Sequence, residues 1–178
     1  METSPILPLK NLNERHLALT SSLAGSYLEA AGVSLDRHHT SPKEFIVEND
    51  GTSSVVTLVW DVPDDRTKAA WANSDDATRD GAYAVAIAAI ELLRGLFAIR
   101  RAETRTGADY YIASPGQDLE DLENWFRLEV SGTHAEKNEV KRRLRIKITQ
   151  TQKGKSNLPA IAAIVGFRVQ LILLQAVK

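Results

Sequence analysis

The chain has 178 residues, of which 43% are apolar and 25% are charged, a composition typical of a soluble globular protein with a sizeable core. The net charge is −1 at pH 7, so nucleic-acid binding would need a local basic surface and not a field over the whole molecule. There is no cysteine, which excludes disulfides and thiolate metal sites and favours a cytoplasmic location. We therefore expect a single domain over residues 1–178, with its core in residues 77–177.

The first third of the chain predicts a helix followed by a β-hairpin. Apolar residues recur at helical spacing over residues 11–32, and Gly32 favours a stop. The apolar segments 45–48 and 55–62 flank an Asn-Asp-Gly turn signal that is typical of hairpins. We expect residues 1–63 either to extend the sheet of the core or to form a surface for a partner.

The rest of the chain alternates between helical and strand-like patterns. Residues 77–93 carry the clearest helical pattern, in which Glu91 stands almost alone among apolar residues. Three short strands are predicted next, at residues 96–101, 109–113 and 125–130, with an acidic loop at residues 117–123 before the third. A basic helix over residues 137–153 and a final buried strand over residues 160–167 complete the pattern.

The most apolar segment, residues 158–177, is nearly long enough to span a bilayer. Arg168 lies near its middle, where inserting an arginine into a membrane costs about 2.5 to 3.5 kcal/mol. We interpret this segment as buried core and expect no membrane association. The first residues also lack the cationic and apolar regions of a signal peptide, which again favours the cytoplasm.

Two acidic residues fall on neighbouring strands of the predicted core. Asp109 begins the second strand, and Glu129 lies in the third. Carboxylate oxygens are the ligands that Mg²⁺ and Mn²⁺ prefer, and a metal ion held in this way is the usual machinery of phosphodiester cleavage. The alternative is structural: Asp109 follows a Gly-Ala turn, and Glu129 pairs with Arg127 or Arg101 on the sheet surface.

The predicted fold is α/β, with a mixed central sheet, flanking helices and the core order helix, strand, strand, strand, helix, strand. Together with Gly-Ala-Asp-Tyr at residues 107–110 and Arg-Leu-Glu-Val-Ser-Gly at residues 127–132, this order resembles the core of the PD-(D/E)XK, or restriction-endonuclease-like, superfamily. It is similar in particular to an uncharacterised bacterial branch with a downstream Lys-x-x-Gln helix, here residues 147–150. The resemblance covers residues 76–167.

The resemblance implies a metal site. Asp109 and Glu129 would bind Mg²⁺ or Mn²⁺, with the Val130 carbonyl as a further oxygen ligand. The first core helix of the superfamily often contributes another acid, and Glu91 occupies that helix here. The implied metal ligands are therefore Asp109, Glu129 and Glu91.

Ser131 stands where the superfamily has a lysine that orients water and neutralises charge in the transition state, so activity needs a replacement cation. The basic helix should face the sheet with one stripe of residues, namely Val140, Leu144, Ile148 and Thr151. Lys147, Arg143 and Gln150 lie on one flank of that stripe and could reach the acidic strands. The resemblance points to Lys147 and Gln150 as catalytic residues beside the two acids.

The same helix is a candidate surface for the nucleic-acid backbone. The cations assigned to that surface are Arg142, Arg143, Arg145 and Lys153. The alternative is that the charged and polar residues of this helix are solvated surface with no partner.

Together with these patterns, the resemblance implies a metal-dependent, nuclease-like protein that acts on nucleic-acid phosphodiesters in a bacterial defence or mobile-element system, with Mg²⁺ or Mn²⁺ as its cofactor. The alternative is a catalytically inactive module of the same fold that binds nucleic acid or a protein partner, and Ser131 favours it. A third interpretation is an interaction protein that buries its apolar surfaces in a homodimer.

Overall fold

A mixed seven-stranded β-sheet with helices on both faces forms the centre of the protein. The computed structural model describes residues 2–116 and 120–178. The strands are β1 (Lys43–Asn49), β2 (Thr52–Leu58), β3 (Phe97–Arg101), β4 (Tyr110–Ala113), β5 (Phe126–Thr133), β6 (Ala160–Gly166) and β7 (Leu171–Val177). The helices are α1 (Leu12–Arg15), α2 (Ser21–Asp36), α3 (Asp65–Ala70), α4 (Ser74–Arg94) and α5 (Lys137–Lys153), with a 3₁₀ turn at Leu122–Asn124. The predicted α/β class with a mixed sheet and flanking helices is confirmed.

The strands lie in the order β2-β1-β7-β6-β5-β4-β3. β5 and β6 are parallel, as are β1 and β7, and the other neighbours are antiparallel. Because α5 connects two parallel neighbours, it runs antiparallel to both. From α4 to β6 the order of elements is the predicted helix, strand, strand, strand, helix, strand. Of the predicted acidic loop, residues 117–119 lie outside the described residues.

The two faces of the sheet pack against different helices, and β6 shows this alternation. Ile161, Ala163 and Val165 lie in the core that includes α2 and α4. Ala162 and Ile164 lie on the other face, in clusters with residues of α5. Since successive side chains of a strand point to opposite faces, a strand covered on both sides carries a continuous apolar run.

Small residues let α4 pack closely on both of its neighbours. A Cβ at Gly81 would lie 2.9 Å from the backbone nitrogen of Ala31 in α2. A Cβ at Gly132 of β5 would lie 2.8 Å from the Ala82 Cβ and from the Thr78 carbonyl oxygen in α4. Both glycines therefore allow a close approach of backbones, and Gly132 brings the end of β5 against the first turns of α4.

The prediction of one continuous helix over residues 11–32 is wrong, because this segment forms two separate helices, α1 and α2. Between them the His16 Nδ1 accepts a hydrogen bond from the Ala98 N–H at 3.0 Å, and the Ala18 N–H donates to the Ala98 carbonyl at 3.1 Å. This non-helical segment satisfies backbone groups on the outer edge of β3. Gly32 does not end α2, which stays buried through this turn and continues to Asp36.

The predicted hairpin is present as β1 and β2, and it extends the sheet because β1 pairs with β7. The prediction of residues 160–167 as the final strand is wrong, since β7 follows as the antiparallel partner of β6. The intervening turn, residues 167–170, contains no Gly, Pro, Asn or Asp and passes through Gln170 with φ 57°.

Within the described residues, no helix has both the length and the apolarity needed to cross a membrane.

Candidate functional site

Asp109 lies close to Glu129 where the pairing of β4 with β5 ends. The register pairs Tyr110 with Leu128, and the Asp109 N–H donates to the Leu128 carbonyl at 2.8 Å, next to Glu129 in the chain. Lys147 of α5 reaches the same point, with its Nζ 2.6 Å from Glu129 Oε1. The structure therefore brings together three of the four predicted catalytic residues.

The Asp109 carboxylate is held by two donors. Its Oδ2 accepts from the Val130 N–H at 2.7 Å, and its Oδ1 accepts from the Tyr83 hydroxyl at 3.0 Å. Successive N–H groups of β5 point alternately toward β6 and β4, and that of Arg127 donates to Pro159 on the β6 side. The Val130 N–H thus points toward β4 at a level beyond Tyr110, the last residue of β4 that pairs with β5. No backbone carbonyl of β4 accepts there, and the Asp109 carboxylate accepts instead.

Arg101 places a cation beside Asp109. Its Nη2 lies 4.0 Å from Asp109 Oδ1 and donates to the Tyr83 hydroxyl at 3.3 Å. Its guanidinium carbon lies 4.9 Å from the ring centroid of Tyr83 and 4.8 Å from that of Tyr110. Burial and the charge of Asp109 raise the pKa of Tyr83 to about 12, so the phenol stays protonated and donates to the carboxylate. Tyr83 was not predicted, and its only signal is that α4 contains no other aromatic residue.

Glu129 is a largely buried carboxylate with a cationic partner. The side-chain exposure is 11% for Glu129 and 22% for Lys147. Burial raises the pKa of Glu129, and the charge of Asp109 raises it further. The hydrogen bond and charge of Lys147, with the charge of Arg101, act in the opposite direction and favour the ionised pair.

A cleft of about 560 Å³ opens beside these residues. It is lined by Ser74, Asp75, Thr78, Arg79, Tyr83, Asp109, Val130, Ser131, Gly132, Thr133, His134, Arg143 and Lys147. Arg143 enters it from α5 and donates from Nη1 to Ser131 Oγ at 3.3 Å. The cleft therefore joins α4, the end of β5 and the flank of α5 that carries Lys147.

The structure does not bring Glu91 to this cleft. Glu91 lies just over two helical turns beyond Tyr83, which is about 12 Å along α4. Its carboxylate accepts from Arg15 Nε and forms a hydrogen bond of 2.8 Å with His16 Nε2, so it joins α1 to α4. Gln150 is exposed on α5 and is not among the described residues that line the cleft.

The predicted nucleic-acid surface is spread around α5. Arg143 lies on the flank that faces the cleft. At roughly 100° per residue, Arg145 lies on the opposite flank, whereas Arg142 and Lys153 lie on the solvent side. These three are exposed. Among the described residues, Arg143 is the member of this group that lines the cleft.

Two hydrogen-bonded histidines adjoin the same cleft. The Thr78 hydroxyl donates to the Ser74 carbonyl at 2.6 Å and therefore accepts from His134 Nε2–H at 2.9 Å. His134 Nδ1 is then unprotonated and accepts from His38 Nε2–H at 2.8 Å. Burial, followed by the charges of His38 and Arg37, lowers the pKa of His134 to about 4.

This pair makes stability depend on pH. We expect the free energy of unfolding to fall as the pH is lowered from 6.5 toward about 4, because His134 takes up a proton when unfolded and not when folded. The pKa values of His16 and His38 are also lowered and act in the same direction. In His134→Gln the slope of the free energy of unfolding against pH should decrease by up to about 1.4 kcal/mol per pH unit between pH 6.5 and about 4. Urea unfolding across the window measures it, and an unchanged slope would contradict the assignment.

Carboxylate oxygens such as those of Asp109 and Glu129 are the donors that a hard divalent cation prefers. Besides the two carboxylates, the Val130 carbonyl points to the same side of β5 as its N–H, which is the side of Asp109. Within residues 2–116 and 120–178, no group of three or more His, Cys, Asp or Glu side chains is arranged to hold a metal ion. An ion would bind here through two carboxylates, with water or substrate phosphate completing the coordination, as is common for Mg²⁺.

Comparisons of the chain with protein-family models, with curated proteins and with solved structures find no match.

Proposed function

We propose that this protein is a metal-dependent nuclease-like protein that acts on the phosphodiesters of nucleic acid. The observation that carries the proposal is the contact of 2.6 Å between Lys147 Nζ and Glu129 Oε1, close enough to Asp109 for the charge of Asp109 to raise the pKa of Glu129. Asp109 and Lys147 line the open cleft, and Glu129 lies behind Lys147. Two carboxylates and a cation are elements that phosphodiester cleavage uses. Lys147 comes from a helix and so supplies a charge that Ser131 cannot.

The arrangement of the elements supports a restriction-endonuclease-like core. α4, β3, β4, β5, α5 and β6 follow one another in the order of that core. The two acids lie at the start of its second strand and within its third strand. Both features are independent of the contact made by Lys147, because they follow from the topology of the sheet.

The proposed roles follow from the contacts. Asp109 and Glu129 would hold Mg²⁺ or Mn²⁺, which when bound lowers the pKa of a coordinated water and polarises the phosphate. Tyr83 positions Asp109 through its hydroxyl, and Arg101 keeps a positive charge beside it. Lys147 offsets the charge of the acids and lies where it can contact a developing negative charge on phosphate.

The alternative function is a catalytically inactive module of the same fold that binds nucleic acid or a protein partner. One observation favours it specifically: both oxygens of Asp109 already accept hydrogen bonds, from Tyr83 and from Val130. Lys147 likewise occupies one oxygen of Glu129. A carboxylate pair satisfied in this way is stable without a metal ion.

Cleavage assays test the proposal directly. Purified protein with Mn²⁺ or Mg²⁺ should cleave DNA or RNA, and Asp109→Asn should lower the rate by at least about 10²-fold because it removes a charged metal ligand. Asp65→Asn, a matched change at an exposed position on α3, should leave the rate unchanged. Calorimetric titration with Mn²⁺ should show binding that Asp109→Asn weakens. Wild-type protein that binds nucleic acid but cleaves neither DNA nor RNA would contradict the nuclease and support the alternative.

A further inference from the structure

Two cationic side chains of α5 contact two residues of β5, and the spacing of the cations along the helix matches the spacing of those residues along the strand. Lys147 contacts Glu129, and Arg143 contacts Ser131. Side chains four residues apart on a helix are about 6 Å apart, and alternate residues of a strand are about 6.6 Å apart. Because α5 runs antiparallel to β5, the later helix residue, Lys147, contacts the earlier strand residue, Glu129, and Arg143 contacts Ser131.

The Arg143 side chain is held in place and is still accessible. Its Nη1 donates to Ser131 Oγ at 3.3 Å, and its Nε lies 3.3 Å from Glu139 Oε1. The contact with Glu139 is an ion pair in which Nε makes no hydrogen bond. Since a guanidinium carries five N–H donors, the bond to Ser131 leaves donors on Nη2 for a ligand. The side chain is 40% exposed and lines the cleft.

The cleft has the charge that an anionic ligand needs at this point. Among its described lining residues, the cations Arg79, Arg143 and Lys147 outnumber the carboxylates Asp75 and Asp109. Arg79 is paired with Asp76 and Asp80 on α4. Arg143 has one carboxylate neighbour, Glu139, and shares the cleft wall with the Ser131 hydroxyl. A planar guanidinium next to a hydroxyl donor matches the geometry of phosphate oxygens.

We propose that Arg143 and Ser131 form a phosphate-binding subsite that takes a backbone phosphate of nucleic acid next to the two acids. The guanidinium supplies, from α5, the positive charge that Ser131 lacks on β5. This inference rests on the proposed function for the identity of its ligand. Phosphate binding at Arg143 requires no metal ion, so it is measurable apart from cleavage.

The test is binding of a short fluorescein-labelled DNA oligonucleotide, measured by anisotropy in EDTA. Arg143→Ala should weaken binding about fivefold to tenfold and lower the slope of log K against log salt by about 0.7 to 0.9, the contribution of one phosphate contact. Lys141→Ala removes the same charge from an exposed position on the opposite flank of α5 and should change binding less than about twofold.

A rescue variant separates charge at this position from a general effect on the fold. Ser131→Lys combined with Arg143→Ala should recover most of the affinity, because the lysine places a cation at the same point from β5. Equal binding by Arg143→Ala and Lys141→Ala, or no wild-type binding, would overturn the subsite. Binding that depends on Arg143 in a protein that never cleaves would support the subsite and contradict the nuclease.

Discussion

Under the proposed nuclease function, replacing Lys147 with methionine should lower the rate of phosphodiester cleavage by about 10²- to 10³-fold, as is typical when one charge-stabilising donor is removed from an active site. The lysine amine is the cation that contacts Glu129, and methionine keeps much of its length without the charge. The same change leaves the largely buried Glu129 carboxylate without this partner. We therefore also expect a loss of about 3 kcal/mol in the free energy of unfolding at pH 8.

The loss of stability in Lys147→Met should grow with pH. The pKa of Glu129 is already raised in the fold, and it rises further when the hydrogen bond and charge of Lys147 are removed. A carboxylate with a raised folded pKa destabilises the fold increasingly as the pH rises above its ordinary value of 4.5. Urea unfolding should show the variant closest to wild type below this value and furthest from it at about pH 8.

Two further variants separate charge from packing at this position. Lys147→Arg keeps the cation and should retain more stability and more cleavage than Lys147→Met. Combining Glu129→Gln with Lys147→Met removes both charges and should recover stability without recovering cleavage. A cleavage rate unchanged in Lys147→Met would contradict the proposed role, and a stability loss equal at both ends of the pH range would contradict its electrostatic origin.

Replacing Arg127 with methionine should destabilise the fold by about 3 to 5 kcal/mol, because one buried and two partly buried carbonyl groups lose a charged donor. Arg127 is 5% exposed. Its guanidinium donates to the carbonyls of Thr106 at 2.9 Å, Thr151 at 3.0 Å and Leu158 at 3.0 Å. These bonds join the loop before Asp109 to the last turn of α5 and to the segment that enters β6.

Chemical denaturation measures this effect, with Arg66→Met as the matched change at an exposed position of α3. The control should stay within about 0.5 kcal/mol of wild type. Arg127→Lys should be intermediate, because an ammonium cannot reproduce three bonds in the geometry of a planar guanidinium. Hydrogen exchange should also become faster in residues 102–109. A loss below about 1 kcal/mol in Arg127→Met would contradict this role.

The elements whose formation depends on local periodicity were predicted well. The basic helix was predicted over residues 137–153, which are the bounds of α5. The three strands before this helix and the strand after it were also predicted in order, because each alternates or runs apolar over a short stretch bounded by turn residues. β7 was missed because the turn before it carries none of the residues that usually mark turns.

The predictions that failed depend on contacts between distant segments. The break between α1 and α2 is stabilised by bonds from His16 and Ala18 to Ala98, far along the chain. Glu91 was predicted as a third metal ligand, but it lies about 12 Å along α4 from Tyr83 and bonds Arg15 and His16. Neither the bonds to Ala98 nor the bonds of Glu91 to Arg15 and His16 have a local pattern in the sequence.

Spacing along strands and around a helix is a local property of the backbone, so the sequence placed Asp109 and Glu129 on neighbouring strands and Lys147 on one flank of the basic helix. Their proposed roles came from the resemblance. The pairing of β4 with β5 and the antiparallel course of α5 then place the three residues at one point. The roles of Tyr83, Arg101 and Arg143 follow from packing of α4, β3 and α5 around that point. Periodicity sets which face of an element a side chain occupies, whereas the docking of elements sets which side chains meet.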